Sequence, residues 1–501
     1  MGGARCEAFS VAGKKNENAM MKSMPDKIVH RLTILQSLKS LPDVLAERGF
    51  PLDLRCGGKG TCGRCRIELL SGRWECNGQE LAVPGQAKAC QVRLLSASGE
   101  IAIPENSLQQ RNGKMSSDWV FGTLPKCADV VIAVDLGTTT IAAVKIQQGR
   151  VLSRASCYNA QNRFGDNVIT RICHAGASAE NLVELQQAAV SSINELLREL
   201  DARDICRIAI AGNTVMSTIL HGVDPSPLGK LPFTPPMRIF PIRQASEIGI
   251  EADVPLLTIP AISAYIGGDL TAGLAELQLA PGEMLVDIGT NCEIIFHAPQ
   301  GLVCAAAAAG PAFEGAGIHC GTRAIAGAID HYFGNGEFSV IGNTEPKGLC
   351  GSAMLDFLAI ERKLGHLNEF GRLQPQRETF DLAHGVFLHE WDISQLLKAK
   401  AAVGSGIHAL EEYCQSKAEK LYLAGGFAQY LCLSNAIAIG MLPAGREYCI
   451  AGNTSLAGAA HLACQPNFAA TLEKCIKGPR EIPLNSLPAF EDHYIDALLL
   501  P

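Results

Sequence analysis

A multidomain protein of mixed α/β and α+β class is what this sequence predicts, and three observations carry the expectation. At 501 residues the chain exceeds the size at which a single core stops growing. Its composition is globular and turn-rich, 47% hydrophobic and only 19% charged with 50 glycines, which calls for a large buried fraction. A β-branched strand running into an acidic, glycine-containing turn also occurs twice, at residues 130–140 and 284–291.

In chain order, residues 1–25 read as an N-terminal extension without ordered structure, with Met24 as an alternative start. They lack the continuous apolar core and cleavage signal of a secretory peptide. Residues 26–105 form a first domain, with a strand over 27–35 and a short helix over 41–48 opened by Pro42 and closed by Gly49. The loop Arg55-Cys56-Gly57-Gly58-Lys59-Gly60-Thr61-Cys62-Gly63-Arg64-Cys65 then sets three cysteines at C-x5-C-x2-C spacing. A strand over 66–70 follows, and Cys90 comes later. Thiolates that share two irons must converge on a small cluster, and glycines let the loop wrap it while aiming backbone amides at sulfur. Cys56, Cys62, Cys65 and Cys90 are therefore the candidate ligands of a 2Fe-2S cluster. Cys76 is the rival for the fourth place, less favoured because it lies in a polar turn. Zinc and inert thiols are the rival uses, although zinc knuckles prefer two C-x2-C arms where this loop has one.

Residues 106–127 are polar and broken by Gly113, Gly122 and Pro125. They form a linker, either a swinging tether or a strap fastened through Trp119 and Phe121. The domain at 128–465 opens on Val130-Val131-Ile132-Ala133-Val134-Asp135-Leu136-Gly137-Thr138-Thr139-Thr140. Asp135 is suited to hold Mg2+ through water, Gly137 to bring backbone close to a phosphate, and Thr138 and Thr139 to donate to its oxygens. Val286-Asp287-Ile288-Gly289-Thr290-Asn291 repeats the pattern, and two such turns face to face would clamp one polyphosphate. Residues 421–427 run as a strand into Gly425-Gly426, where bare backbone can lie against a purine and ribose.

Between and after these motifs, leucines at helical spacing mark an amphipathic helix over 179–200, and a strand over 207–211 leads to Gly212-Asn213-Thr214. Residues 224–236 are a proline-rich extended surface segment, and 305–317 a small-residue loop near the nucleotide. In that loop Glu314 either orients water or magnesium or caps a helix. A long helix over 393–414 feeds the diglycine strand, and residues 435–442 with Gly452-Asn453-Thr454 close the fold. Residues 466–501 are read as a C-terminal tail packed on this domain.

The motifs DLGTTT, DIGTN and AGGF resemble those of the actin, sugar-kinase and heat-shock chaperone ATPase superfamily. The resemblance implies a two-lobed actin-like (ribonuclease H-like) ATPase. In it Asp135, Asp287 and Glu314 are catalytic, and Gly137, Thr138, Thr139, Gly289, Thr290, Asn291, Gly425 and Gly426 hold ATP with Mg2+. With CGGKGTCGRC in front, and GNTVM and AAGPAFEGAG in the order found here, nearly the whole chain from about residue 26 resembles one family, the ATP-dependent reductive activators of corrinoid proteins. That likeness implies an N-terminal β-grasp ferredoxin-like domain and ATP-dependent return of Co(II) to Co(I) in the corrinoid protein of a methyltransferase system. An external low-potential electron donor and a homodimer are further implications. Three departures stand out, one being a chain shorter than the longest family members, lacking much of the segment between the ferredoxin and ATPase domains. Cys292 occupies a place where the family usually has glycine, and Ala305, Ala306 and Ala307 stand where hydroxyl-bearing residues are expected. Rival functions are ATP-dependent electron delivery to another metalloenzyme, a nucleotide-dependent redox-sensing scaffold, and a small-molecule kinase.

The composition excludes other classes. A net charge of -7 without a basic run argues against nucleic acid. No apolar stretch reaches the roughly 18 residues of a spanning helix, so no membrane insertion is expected. Nineteen cysteines, mostly single and in apolar settings, suit reduced thiols in a cytoplasm.

Overall fold

A computed structural model describes residues 29–52, 54, 58, 60, 65–104, 107–108, 122–165 and 167–501. The N-terminal extension, most of the cysteine loop and most of the linker therefore lie outside the described residues.

The first domain is a four-stranded sheet in the order Val29–Leu35, Ser98–Pro104, Arg66–Leu69, Gly85–Lys88. Ile67 and Leu69 alternate inward, as do Ile101 and Ile103, and they pack with Leu45 of the helix Leu41–Glu47 and with Trp74. Pro42 sits in the first turn of that helix, where a missing N–H costs nothing, and the chain leaves it through Gly49 at φ +85°.

The second and larger part carries two six-stranded sheets built on one plan. One runs Arg150–Tyr158, Thr140–Gln147, Val131–Leu136, Arg207–Gly212, Pro255–Thr258, with Arg243–Gln244 at the edge. The other runs Gly301–Ala307, Cys292–Ala298, Glu283–Ile288, Lys420–Ala424, Glu447–Gly452, with Arg480–Glu481 beside Gly301–Ala307. In each, the aspartate-bearing strand pairs antiparallel with the strand after it and parallel with a later one. The repeated motif is thus the visible part of a repeated fold, and the expected class of a ferredoxin-like domain followed by an actin-like one is what forms.

Helices supply the layers. Ala179–Glu199, capped by Ser178, covers one face of the first sheet through Leu185, Ile193 and Leu196. Gly268–Leu277 and Thr454–Cys464 cross between the two sheets, and Leu270, Ala272, Leu456 and Ala459 join Leu285 and Ile295 in one apolar cluster. The crossing is so close that a Cβ on Gly458 would sit 1.9 Å from the Ala272 carbonyl oxygen. Glu390–Cys414, three residues longer at its start than the spacing suggested, backs the second sheet.

Three readings change. Ala305 and Ala307 are not loop but the end of strand Gly301–Ala307, fully buried, because small side chains let the helix Glu390–Cys414 approach at Gly406. The segment 224–236 is not extended throughout, since a 3-10 turn at Ser226–Gly229 buries Leu228. The closing helix is Leu433–Ala438. In the C-terminal region the helices Phe468–Lys477 and Phe490–Ala497 lie on the body, and Lys400 Nζ donates to the carbonyls of Ala497 (2.7 Å) and Leu499 (2.5 Å). Among the described residues no helix is long and apolar enough to cross a membrane.

Candidate functional site

All eleven residues named from the two turns, the diglycine and Glu314 line one cavity of about 360 Å³, with both sheets contributing. Asp135 ends the first motif strand, and its carboxylate accepts from Asn453 Nδ2 and Ser455 Oγ, both at 2.8 Å. Asn453 caps the helix Thr454–Cys464 by accepting from the Leu456 amide. Gly137 is demanded by the turn itself, because a Cβ there would stand 2.4 Å from the Thr140 carbonyl oxygen. Asn159 Nδ2 donates to the Gly137 carbonyl (2.9 Å), Asn162 Nδ2 to the Thr139 carbonyl (3.0 Å) and Asn213 Nδ2 to Thr138 Oγ1 (3.0 Å). Beneath them lies Arg171, wholly buried, whose guanidinium donates to the carbonyls of Thr138 and Gly165 and to the side chains of Gln161 and Asn162.

The second turn is held differently. The Gly289 amide donates to the Asn291 carbonyl (2.9 Å) and the Gly310 amide to the Thr290 carbonyl (2.8 Å). Thr290 Oγ1 donates to both oxygens of Glu314, at 3.0 and 3.1 Å. Glu314 closes a 3-10 turn, Ala312–Glu314, instead of capping a helix, and its tie to Thr290 makes it part of the second turn. A Cβ on Gly289 would meet nothing nearer than 3.6 Å. Gly425 takes φ +95°, and a Cβ there would stand 2.5 Å from the Ile288 carbonyl oxygen, whereas a Cβ on Gly426 would meet nothing within 4 Å. Phe427 stacks on Phe313 at 4.7 Å between ring centres. Cys292, the departure from glycine, is buried in the core beside Ala307 and is not among the cavity residues, so the turn keeps its shape.

Two cavity carboxylates escaped the sequence reading. Asp269 and Glu293 line the space together with Asp135 and Asp287. Burial raises the pKa of Asp135, against the opposing bonds from Asn453 and Ser455. Asp269 is pushed up to about 7, first by burial and then by the charge of Asp135. Asp287 reaches about 7 through burial and the charges of Asp269 and Asp135. Glu293 is raised well above the carboxylate range by burial and by Asp269 and Asp287. Burial raises all four acids, and neighbouring acids raise Asp269, Asp287 and Glu293 further, so the cluster is a strong field for a cation. Among the described residues no group of three or more His, Cys, Asp or Glu side chains is placed to hold a metal ion directly. The signals that could have found the missed residues are faint. Asp269 follows Gly267-Gly268 at a helix start, and Glu293 faces Asp287 across the hairpin.

In the first domain Cys65 is buried and its Sγ lies 3.3 Å from that of Cys90. Cys90 is brought down to about 6, chiefly by the hydrogen bond from Cys65, against burial, and further by Gln91 and the Gly60 backbone. Gln91 Nε2 also donates to the Gly58 carbonyl (2.7 Å), and Gly58 and Gly60 take φ +77° and +74°. Two converging thiols with amide donors fit a group that demands thiolates. Cys76 lies in the strand Trp74–Cys76 opposite Val92, with no bond to either thiol. Cys56 and Cys62 lie outside the described residues.

Comparison with known proteins agrees with this division. A model of the 2Fe-2S iron-sulfur cluster binding domain matches residues 33–95, one of the RACo middle region residues 130–281, and one of the C-terminal domain of RACo, the ASKHA domain, residues 282–501. The corrinoid activation enzyme RamQ of Eubacterium limosum is 25% identical over 511 residues, covering 80% of this chain and 86% of its own. The [Co(II) methylated amine-specific corrinoid protein] reductase of Methanosarcina barkeri is 26% identical over 380 residues, covering 66% and 69%. The solved structure of a reductive activator for corrinoid, iron-sulfur protein has the same fold, with a TM-score of 0.67 at 24% identity, covering 93% of this chain and 96% of that one.

Proposed function

Because the chain belongs to the RACo family by its middle and C-terminal regions, with a 2Fe-2S domain in front, we propose that it carries out ATP-dependent one-electron reductive activation of a corrinoid protein, returning Co(II) to Co(I). The observation that carries the reading is the convergence of both Asp-x-Gly-Thr turns and the diglycine turn on one cavity. In this reading Thr138, Thr139, Thr290 and Asn291 hold the phosphates of ATP, Gly137 and Gly289 admit them, and Gly425 and Gly426 take the nucleoside. Asp135 and Asp287 hold Mg2+ through water, and Glu314 positions Thr290 and the attacking water. Cys56, Cys62, Cys65 and Cys90 are the cluster ligands. A bound 2Fe-2S cluster supplies electrons one at a time.

Nucleotide is needed for an energetic reason. Each tenth of a volt uphill costs about 2.3 kcal/mol for one electron, so a donor of ordinary potential leaves a low-potential acceptor mostly oxidised. Two lobes closing on ATP can bind one state of the corrinoid partner better than the other and so shift that balance. An external low-potential donor, a homodimeric assembly and a cytoplasmic setting complete the proposal.

The test is anaerobic mixing of the full chain, reductant and corrinoid protein, following Co(I) absorbance. ATP should raise Co(I), and Asp135→Ala should remove the increase. A spectrum indifferent to both ATP and the substitution sinks the activator reading. Iron analysis of Cys62→Ser tests the ligand set separately, with unchanged iron content as the contrary result.

A further inference from the structure

The cavity is lined by five carboxylates, Asp135, Asp269, Asp287, Glu293 and Glu314, and among the described lining residues by one basic side chain, Arg323. Proximity to so many acids would ordinarily hold a guanidinium in ion pairs. Instead Arg323 stands over the ring of Tyr158, 4.5 Å from its centre, and among the described residues makes no side-chain hydrogen bond or ion pair.

The two partners come from opposite sides of the cleft. Tyr158 ends the strand Arg150–Tyr158 opposite Thr140, and the next residue, Asn159, is bonded to Gly137 and Thr139. Tyr158 therefore moves with the first turn. Arg323 lies on the segment that continues from Glu314, whose carboxylate is bonded to Thr290. It belongs to the second turn's side. One cation–π contact thus reaches from one phosphate turn to the other, at the rim of the space between them. Such a contact is weak beside the forked, charge-assisted bonds a guanidinium makes with phosphate. A polyphosphate entering a cavity of five acids gains from positive charge on the protein, and among the described lining residues Arg323 is the one source.

We propose that Arg323 reads the terminal phosphate of the nucleotide: it rests on Tyr158 when that phosphate is absent and leaves the ring to bond it when a triphosphate is bound. The proposal rests on the nucleotide reading above. It makes the Tyr158 ring a competitor of the ligand, which a mere brace across the cleft would not be.

Calorimetry on the full chain with Mg2+, using the non-hydrolysable imido analogue of ATP and ADP as probes, separates the possibilities. Arg323→Gln should weaken the triphosphate analogue roughly 10- to 100-fold and ADP less than about 3-fold, with Arg323→Lys in between. Tyr158→Leu should strengthen the analogue about 2- to 5-fold, since only the ligand-free state loses the contact, while Tyr158→Phe should change it less than about 2-fold. Equal losses for both nucleotides in Arg323→Gln, or weaker binding of both in Tyr158→Leu, would overturn the proposal. Failure of the unaltered chain to bind either nucleotide would instead remove the nucleotide reading itself.

Discussion

The two Asp-x-Gly-Thr turns share a motif, a strand pairing and a cavity, yet they are built to different tolerances. The first is fastened from several sides at once: Asn453 and Ser455 on Asp135, Asn213 on Thr138, Asn159 and Asn162 on the backbone, and Arg171 beneath. Among the described residues the second has side-chain ties from Thr290 to Glu314 and between Asn291 and Glu293, with backbone bonds. Duplicated sequence has not produced duplicated mechanics. The first turn is held from more sides than the second. The glycines say the same. Gly137 is explained by its own turn, whereas the protein leaves room for a side chain at Gly289 and Gly426. In the proposed reading that room belongs to the nucleotide.

The contrast can be broken most forcefully at Arg171. Arg171→Met strips partners from buried carbonyls and amides and should cost about 3 kcal/mol of stability, seen as a large fall in melting temperature. Thr290→Val on the other turn should cost less than about 1 kcal/mol in the same assay. Gly137→Ala comes next, at about 2 kcal/mol, since the turn must open to admit the methyl group. Gly289→Ala and Gly426→Ala should melt within about 0.5 kcal/mol of the parent but bind ATP at least roughly tenfold more weakly. A fall in stability for Gly289→Ala equal to that of Gly137→Ala would erase the distinction.

A subtler effect is set by acidity. Asp269 and Asp287 titrate near 7 in the folded chain and near 4 when unfolded, so the folded state binds more protons between those values. Their contribution to stability therefore falls as pH rises from about 4 to about 7 and is level above that. A divalent cation prefers the ionised acids, so the gain in melting temperature on adding Mg2+ should grow over the same window. Thermal melts with chelator and with Mg2+ at pH 5.5 and 8 check the sign. A larger Mg2+ effect at the lower pH contradicts it.

Much of this was legible from spacing alone. Continuous apolar, β-branched runs marked the motif strands, and the repeat of Asp-x-Gly-Thr announced the repeat of the sheet. Polar residues that act across long separations were not. Asn453 reaches Asp135 over 318 positions, and no local pattern encodes such a meeting. Gly-Asn-Thr occurs three times, at 212–214, 342–344 and 452–454. Two copies cap helices at the cavity, while Asn343 sits in a turn at φ +50° elsewhere. Only packing tells them apart. Arg171 was invisible for a related reason, since an arginine on a short helix reads as solvated until its acceptors are found beneath a turn. The alanine run at 305–309 misled because small apolar residues serve a loop or a doubly covered strand equally well.

The contact of Gly458 with Ala272 carries a mechanical consequence. At Gly458 the two helices meet backbone to backbone, and no side chain of residue 458 stands between them. If the two lobes close on nucleotide as proposed, this crossing is a place about which they can turn. A methyl group at 458 would turn the bearing into a wedge.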